Sequence, residues 1–283
     1  MAAHLIVAPW AEPHLVAVTA RLDAGGIEWS SDVGHDTATL ARAALEAGRT
    51  TLIALGDDGT LHGVVRGVMG SAGPRVEGTT IGILPAAASG VARTFGIPSD
   101  PVGACRVLIG EERYDLDVGI VRCADQEQGH PFIAIAEVGF GARAGRSTGG
   151  GLRSFLSFWS GLASSGDTVA VQVGRRGYEG AAWDVVVGNC QFIGDLRLSP
   201  RSFPGDGVLD VLVMTGTRAN AFRRLPQMYR GEHVPDDEIH EFRGTTVRID
   251  SKRHPIPVHA DGVPVGVTPA TFEIIPQALQ LLV

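Results

Sequence analysis

Lysine is almost absent from this chain: of its 24 basic residues only Lys252 is a lysine. A phosphate site here must therefore use arginine, backbone N–H groups or a metal ion. Cysteine is scarce too. Cys105, Cys123 and Cys190 cannot all pair and form no C-x-x-C, which argues against a disulfide scaffold and a structural zinc site and fits a reducing cytoplasm. No apolar run reaches the roughly 18 residues of a membrane span. No lysine or arginine precedes Arg21, so the start of the chain does not read as a secretory signal. Positive charge is in deficit, with a net charge of −7, and the bulk footprint of a nucleic-acid binder is missing. What is present is ordinary for a folded protein: 44% apolar and 19% charged residues in 283, enough for one large or two modest domains.

The first ~110 residues alternate strand-like and helix-like patterns. His4–Ala8, Thr51–Leu55 and Thr80–Leu84 are short apolar runs. Pro13–Ala24 is helical in composition and ends at Gly25-Gly26, and Asp36 can cap a helix running to Glu46. Strand, loop and helix in repetition imply a parallel sheet covered on both faces. After Tyr114 short apolar segments dominate: Leu116–Val121, Phe132–Val138, Thr168–Val173, Trp183–Val187, Leu209–Met214, Val247–Ile249 and Phe272–Ile275. This predicts an antiparallel β domain, interrupted by helices near Leu152–Ala163 and Arg218–Tyr229. The expected fold is an α/β, Rossmann-like domain over 1–113, to which 276–283 returns, followed by a β-sandwich domain over 114–275, with a nucleotide cleft between them.

The sharpest local feature is Gly56-Asp57-Asp58-Gly59-Thr60-Leu61-His62, directly after a buried strand. A glycine-rich turn leading into a helix exposes backbone N–H groups at the positive end of the helix dipole, which suits a phosphate. A plain strand-to-helix turn would use the same residue types. It is not a P-loop, and Gly139-Phe140-Gly141 fails as a dinucleotide fingerprint because its third glycine falls one residue late, at Gly145. His254 and His259 lack a third metal ligand and read as loop histidines. Phe155, Leu156, Trp159 and Leu162 form a helical stripe that reads as core packing, beside Arg143, Arg146 and Arg153.

Several segments, taken in order, resemble the diacylglycerol kinase catalytic family in its bacterial lipid-kinase branch, related to sphingosine kinases and more distantly to NAD kinases. They are GDDGTLHGVVRGVMG from Gly56, TIGILPAAASGVARTFGIP from Thr80, DLDVGIV from Asp115, FIAIAEVGFGARA from Phe132, the run from Val185 to Met214 with its S-P and D-G-x-L-D-V, and HADGVPVGVTPATFEIIPQALQLL from His259. The long strand-rich half with D-G-x-L-D-V favours the lipid branch over an NAD kinase relative. The resemblance implies transfer of the γ-phosphoryl group of ATP to a lipid hydroxyl. It places the phosphates on Gly56 to His62, with Ser30 at the end of the second strand as a nucleotide contact and Ser89 as a substitute hydroxyl. It places Mg²⁺ on Asp206 with the carbonyls of Phe203 and Val208, where an Asp-Gly turn is an equally good reading. The partners it implies are a nucleotide and a lipid acceptor, with no nucleic acid, at most peripheral membrane contact, and room for a homodimer.

Four departures from the family pattern bear on activity, one being the opening N-P-x-S-G segment, which is only Ala8-Pro9-Trp10-Ala11 here. Asp57 replaces a glycine; a carboxylate about 5 Å from a phosphate repels it by about 3 kcal/mol at an effective dielectric near 20. Ala87-Ala88-Ser89-Gly90-Val91 replaces a G-T-x-N-D loop and is one residue shorter. The general-base glutamate of the family is Val263, which cannot accept a proton. Asp261, two residues earlier, is either a surrogate base or a turn residue. Low activity is expected, and a degenerate member that binds nucleotide or lipid is the alternative.

Overall fold

The structure is a computed structural model and describes residues 2–72, 76–126, 128–139 and 166–283. The expected helix near Leu152–Ala163 with its apolar stripe, the Arg143, Arg146 and Arg153 cluster, and Phe140-Gly141 lie outside the described residues. The chain divides into two units, Met1–Val118 with Ile275–Val283, and Gly119–Ile274.

In the first unit, β1 (Ala2–Val7), β2 (Glu28–Val33), β3 (Thr51–Gly56) and β4 (Thr80–Pro85) form a parallel sheet in the order β2-β1-β3-β4. β3 and β4 are buried along their whole length, as strands covered on both faces must be. A 3-10 helix, Pro9–His14, precedes α1 (Leu15–Ala24); α2 (Thr37–Glu46), α3 (Asp58–Ala72), α4 (Gly90–Thr94) and α5 (Pro101–Gly110) follow. α1 packs with α5 and α2 with α3. Handedness explains this pairing. The crossovers β2-α2-β3 and β3-α3-β4 run the same way across the sheet and place their helices on one face, whereas β1-α1-β2 runs the other way. Asp36 caps α2, its Oδ1 accepting the Thr39 N–H at 3.1 Å, as the sequence predicts.

The second unit is built of antiparallel pairs. One sheet runs β12 (Ile239–Gly244), β11 (Leu209–Met214), β10 (Asp184–Gly188), β7 (Ile135–Gly139), β14 (Pro257–Ala260), β15 (Val263–Val267). In the other, β13 (Thr246–Ser251) lies between β8 (Asp167–Val173) and the first half of β16 (Ala270–Leu282), with β9 (Arg176–Ala182) outside β8; β5 (Arg113–Cys123) pairs with β6 (His130–Phe132). Alternate residues of these strands, Val185, Val187, Val211, Val213, Val247 and Ile249 among them, meet in one buried core. Phe132 and Phe272 lie edge to face within it, 6.4 Å apart. α6 (Arg218–Arg230) occupies the position the sequence predicts for a helix there.

The last strand, β16, crosses from one unit to the other and ends parallel to β4, pairing Gln280 with Thr80. The three cysteines form no disulfide and are buried. Burial pushes the Cys105 and Cys123 thiols up to about 11, so neither is a ready thiolate.

Candidate functional site

The strand order reverses between β1 and β3: the chain leaves β1 toward one edge of the sheet and β3 toward the other. Loops that part in opposite directions leave a crevice at the carboxyl ends of the two strands, and open α/β sheets bind ligands there. The Gly56-Asp57 turn stands at that point. Gly56 is required sterically, because a Cβ on it would lie 2.2 Å from Thr60 Oγ1. Without a side chain, the first turn of α3 folds back onto the strand end.

Asp57 departs from the sequence expectation. It is buried and its side chain turns inward as the cap of α3: Oδ1 accepts from Thr60 N and from Thr60 Oγ1, both at 2.9 Å. Its own N–H donates to Thr60 Oγ1 at 3.3 Å. The backbone there needs no glycine. Among the described non-glycine residues, left-handed φ occurs at Glu111, Asp261 and Gln277. The seven-residue cradle is therefore not uniform. The Thr60 amide is spent on Asp57 and the Leu61 amide on Asp57 O, at 3.1 Å. The side chains of Leu61 and His62 are buried. The Gly59 amide, in the first turn of α3, has no partner among the described residues and faces the positive end of the helix.

Asp58 ties this turn to the shortened loop. Its carboxylate accepts from Ser89 Oγ at 2.5 Å and from Gly90 N at 2.7 Å, and the Val91 amide stands at 3.4 Å. Ser89 Oγ also accepts the Ala92 N–H at 3.0 Å, capping α4. The structure thus brings Asp58 and Ser89 together, and the Ser89 hydroxyl is engaged in holding the loop. Ser30 does not stand at a strand end. β2 continues to Val33, and Ser30 sits in mid-strand beside His4, whose Nδ1 is 2.8 Å from Ser30 Oγ.

In the second unit, Asp261 is not on a strand with Val263. Asp261 and Gly262 form a two-residue turn joining β14 to β15, with φ of 49° and 81° and Ala260 paired to Val263. Two positive φ values in succession are the hairpin turn that Asp-Gly favours. The Asp261 carboxylate accepts three amides, from Ile133 (2.9 Å), Ala134 (2.8 Å) and Ile135 (3.1 Å). An oxygen pair so occupied is an anchor for the β6–β7 loop rather than a proton acceptor. Val263 opens β15 and is half-buried.

The proposed magnesium ligands fit the ion poorly. Asp206 is held by Arg243 and accepts the Val208 N–H at 3.2 Å. The Phe203 carbonyl accepts from the Gly205 and Asp206 amides. A guanidinium already supplies the positive charge beside the Asp206 carboxylate. Arg243 escaped sequence reading because its pairing is set by strand register: it stands opposite Asp210 across β11 and β12 and ion-pairs with it at 2.9 Å. The Asp57 cap did carry a signal, the Asp-x-x-Thr spacing of a helix start.

Comparison with known proteins agrees with this architecture. The family model described as diacylglycerol kinase catalytic domain matches residues 14–121, and that of the YegS C-terminal NAD kinase beta sandwich-like domain matches 160–283. The chain is 31% identical over 247 residues to a probable YegS-like lipid kinase of Chromohalobacter salexigens, covering 82% of this chain and 75% of the relative. It is 28% identical over 279 residues to a diacylglycerol kinase of Mycobacterium tuberculosis, covering 93% and 87%. A crystal structure of a diacylglycerol kinase from Bacillus anthracis superposes with a TM-score of 0.76 at 20% identity, covering 99% and 96%. An NAD kinase from Archaeoglobus fulgidus superposes with a TM-score of 0.57 at 12% identity, covering 100% and 94%. The fold is of the diacylglycerol kinase and NAD kinase class. This chain belongs to the diacylglycerol kinase family of lipid kinases.

Proposed function

We propose that the protein binds ATP at the turn from Gly56 to Thr60 and transfers its γ-phosphoryl group slowly to a lipid hydroxyl. The observation that carries the reading is the Gly59 amide at the positive end of the 15-residue helix α3, placed where the strand order reverses. In the transfer, the bond from the γ-phosphorus to its bridging oxygen breaks and one to the lipid oxygen forms. Catalysis of this kind is mostly positioning and charge neutralisation. The hydroxyl proton has no carboxylate to receive it at position 263 and passes to water or to the phosphate. A missing general base lowers the rate by about 10²–10⁴-fold.

The anchoring of Asp261 by three amides favours a second reading, a nucleotide- or lipid-binding protein with no turnover. Thermal stabilisation by Mg-ATP, compared with ADP, NAD and no ligand, tests the shared part of both: at 100 times its dissociation constant a ligand adds about 2.7 kcal/mol. Phosphoryl transfer from labelled ATP to diacylglycerol then separates them. Stabilisation with measurable transfer supports the kinase, stabilisation without transfer supports the binder, and no response to any nucleotide rejects the site.

A further inference from the structure

A cavity of about 530 Å³ opens in the second unit among the β8–β9 turn, residues 199–201 and strands β11 and β12. Its lining lies wholly within that unit. Buried Val173 and Leu212 give it an apolar base. Four arginines also line it, and they are not equivalent. Arg201 is paired with Glu241 at 2.9 Å, and Arg243 with Asp206 and Asp210. Arg175 and Arg176 are exposed and carry no carboxylate partner among the described residues. They stand at the turn that closes where Val173 pairs with Arg176, and both line the cavity. An anion in the cavity supplies the charge partner each lacks, and the planar guanidinium fork suits phosphate oxygens.

A second group borders the same space. Asp210 lines the cavity and is 5% exposed. Its Oδ1 takes Arg243 Nε, but its Oδ2 is buried without a hydrogen-bond partner. The nearby Ser202 hydroxyl acts against the burial of this carboxyl, while its own proton is donated to Ser199 Oγ. Ser199, 1% exposed, also lines the cavity and shares one hydrogen bond with Ser202 at 2.7 Å. A buried oxygen left unserved costs about 1–3 kcal/mol, so a ligand donor at Asp210 is favoured. Inorganic phosphate would satisfy the arginines alone. A phosphate ester that also carries a hydroxyl group would satisfy both ends.

We propose that this cavity is a second binding site, for a hydroxyl-bearing phosphate ester, with the phosphate on Arg175 and Arg176 and a hydroxyl on Asp210. The ester can be a small soluble molecule or a lipid headgroup, and the site stands independently of the nucleotide turn. The test uses the full chain. Thermal-shift titrations are run with glycerol 3-phosphate, inorganic phosphate and glycerol, and sedimentation with phosphatidylcholine vesicles with and without phosphatidylglycerol. The native protein should respond to glycerol 3-phosphate more strongly than to inorganic phosphate, or sediment with the phosphatidylglycerol vesicles. The first result assigns a soluble ester and the second a headgroup. With a net charge of −7, general adsorption to an anionic surface is disfavoured, so vesicle binding that depends on the two arginines belongs to the cavity. The Arg175→Ala/Arg176→Ala double variant, at an exposed turn, should bind at least about tenfold more weakly and keep its response to Mg-ATP. Asp210→Asn should remove the preference for glycerol 3-phosphate over phosphate. Unchanged affinity in the double variant, an equal response to both phosphates without sedimentation on the phosphatidylglycerol vesicles, or no response to any soluble or vesicle probe would overturn the site. Failure of the native protein to bind ATP would leave it standing.

Discussion

Asp57 is a carboxylate in a glycine-rich turn, and two effects act on it in opposite directions. As a cap it satisfies the Thr60 amide and stabilises α3. As a charge it opposes a phosphate in the same turn. Asn keeps the first effect and removes the second. Asp57→Asn should therefore bind ATP more tightly, by about tenfold given partial solvent screening, at nearly native stability. Asp57→Ala should lose about 1 kcal/mol of stability with the cap. Calorimetric titration with melting curves measures both, and an Asn variant with native ATP affinity would show that the nucleotide does not meet this carboxylate. Asp261 poses the converse case. Its three amide partners make it structural, so Asp261→Asn should lower stability by about 1–3 kcal/mol and leave residual phosphoryl transfer per folded molecule unchanged. Val263→Glu should raise transfer if the base alone is missing. Loss of all transfer in Asp261→Asn with an unchanged melt would return Asp261 to the role of base.

Among the elements, the buried ones were legible and the edges were not. β3 and β4 are apolar throughout because both faces are covered, and the sequence marks them almost to the residue. β9 and β12 lie at sheet ends, pair on one side only and are mixed in character, so no apolar run announces them, while β15 is interrupted by Pro264 and Gly266. β2, also an edge, extends three residues past Ser30, which is why a contact expected at a strand end lies in mid-strand. At the candidate site, the Gly56 turn was legible as a position, but the roles were set by spatial neighbours: a cap for Asp57, a tether to Ser89 for Asp58, three loop amides for Asp261. Close helix contact is likewise silent in composition. α3 meets α2 through Gly63 and Gly67, and a Cβ on Gly67 would stand 2.3 Å from the Ala38 carbonyl oxygen. Gly67→Ala ordinarily favours a helix by about 1 kcal/mol. Here the backbone of α2 must shift, and a net loss of about 1–3 kcal/mol is expected. A melting temperature equal to or above native would show that the two helices separate freely.

At the scale of the whole molecule, each unit carries a buried histidine whose charge the fold resists. His4 lies in the first unit and His233 in the second. Burial is the leading cause that lowers both below their ordinary value of 6.5, against the raising influence of Asp32 on His4 and of Asp236 on His233. His233 Nε2 lies 3.1 Å from the Leu198 carbonyl, while its Nδ1 is buried without a hydrogen-bond partner. Arg224, held between Asp236 and Glu238, further disfavours a second positive charge there. With folded values depressed, the unfolded chain binds more protons than the folded one in the window just below pH 6.5, so stability rises with pH there. The contribution is present above 6.5 and is lost as pH falls toward the folded values. Asp210 works the other way, since burial raises it above 3.8 and it favours acid. The comparison that isolates one histidine is native protein against His233→Gln, which keeps a donor for Leu198 but no titrating ring. Denaturant melts from pH 7.5 to 5.5 should show the native protein losing stability with acidification, and the His233→Gln variant losing less. Parallel slopes for the two would mean that the ring is solvated before the chain unfolds, and that the second unit opens locally around the Leu198–His233 contact.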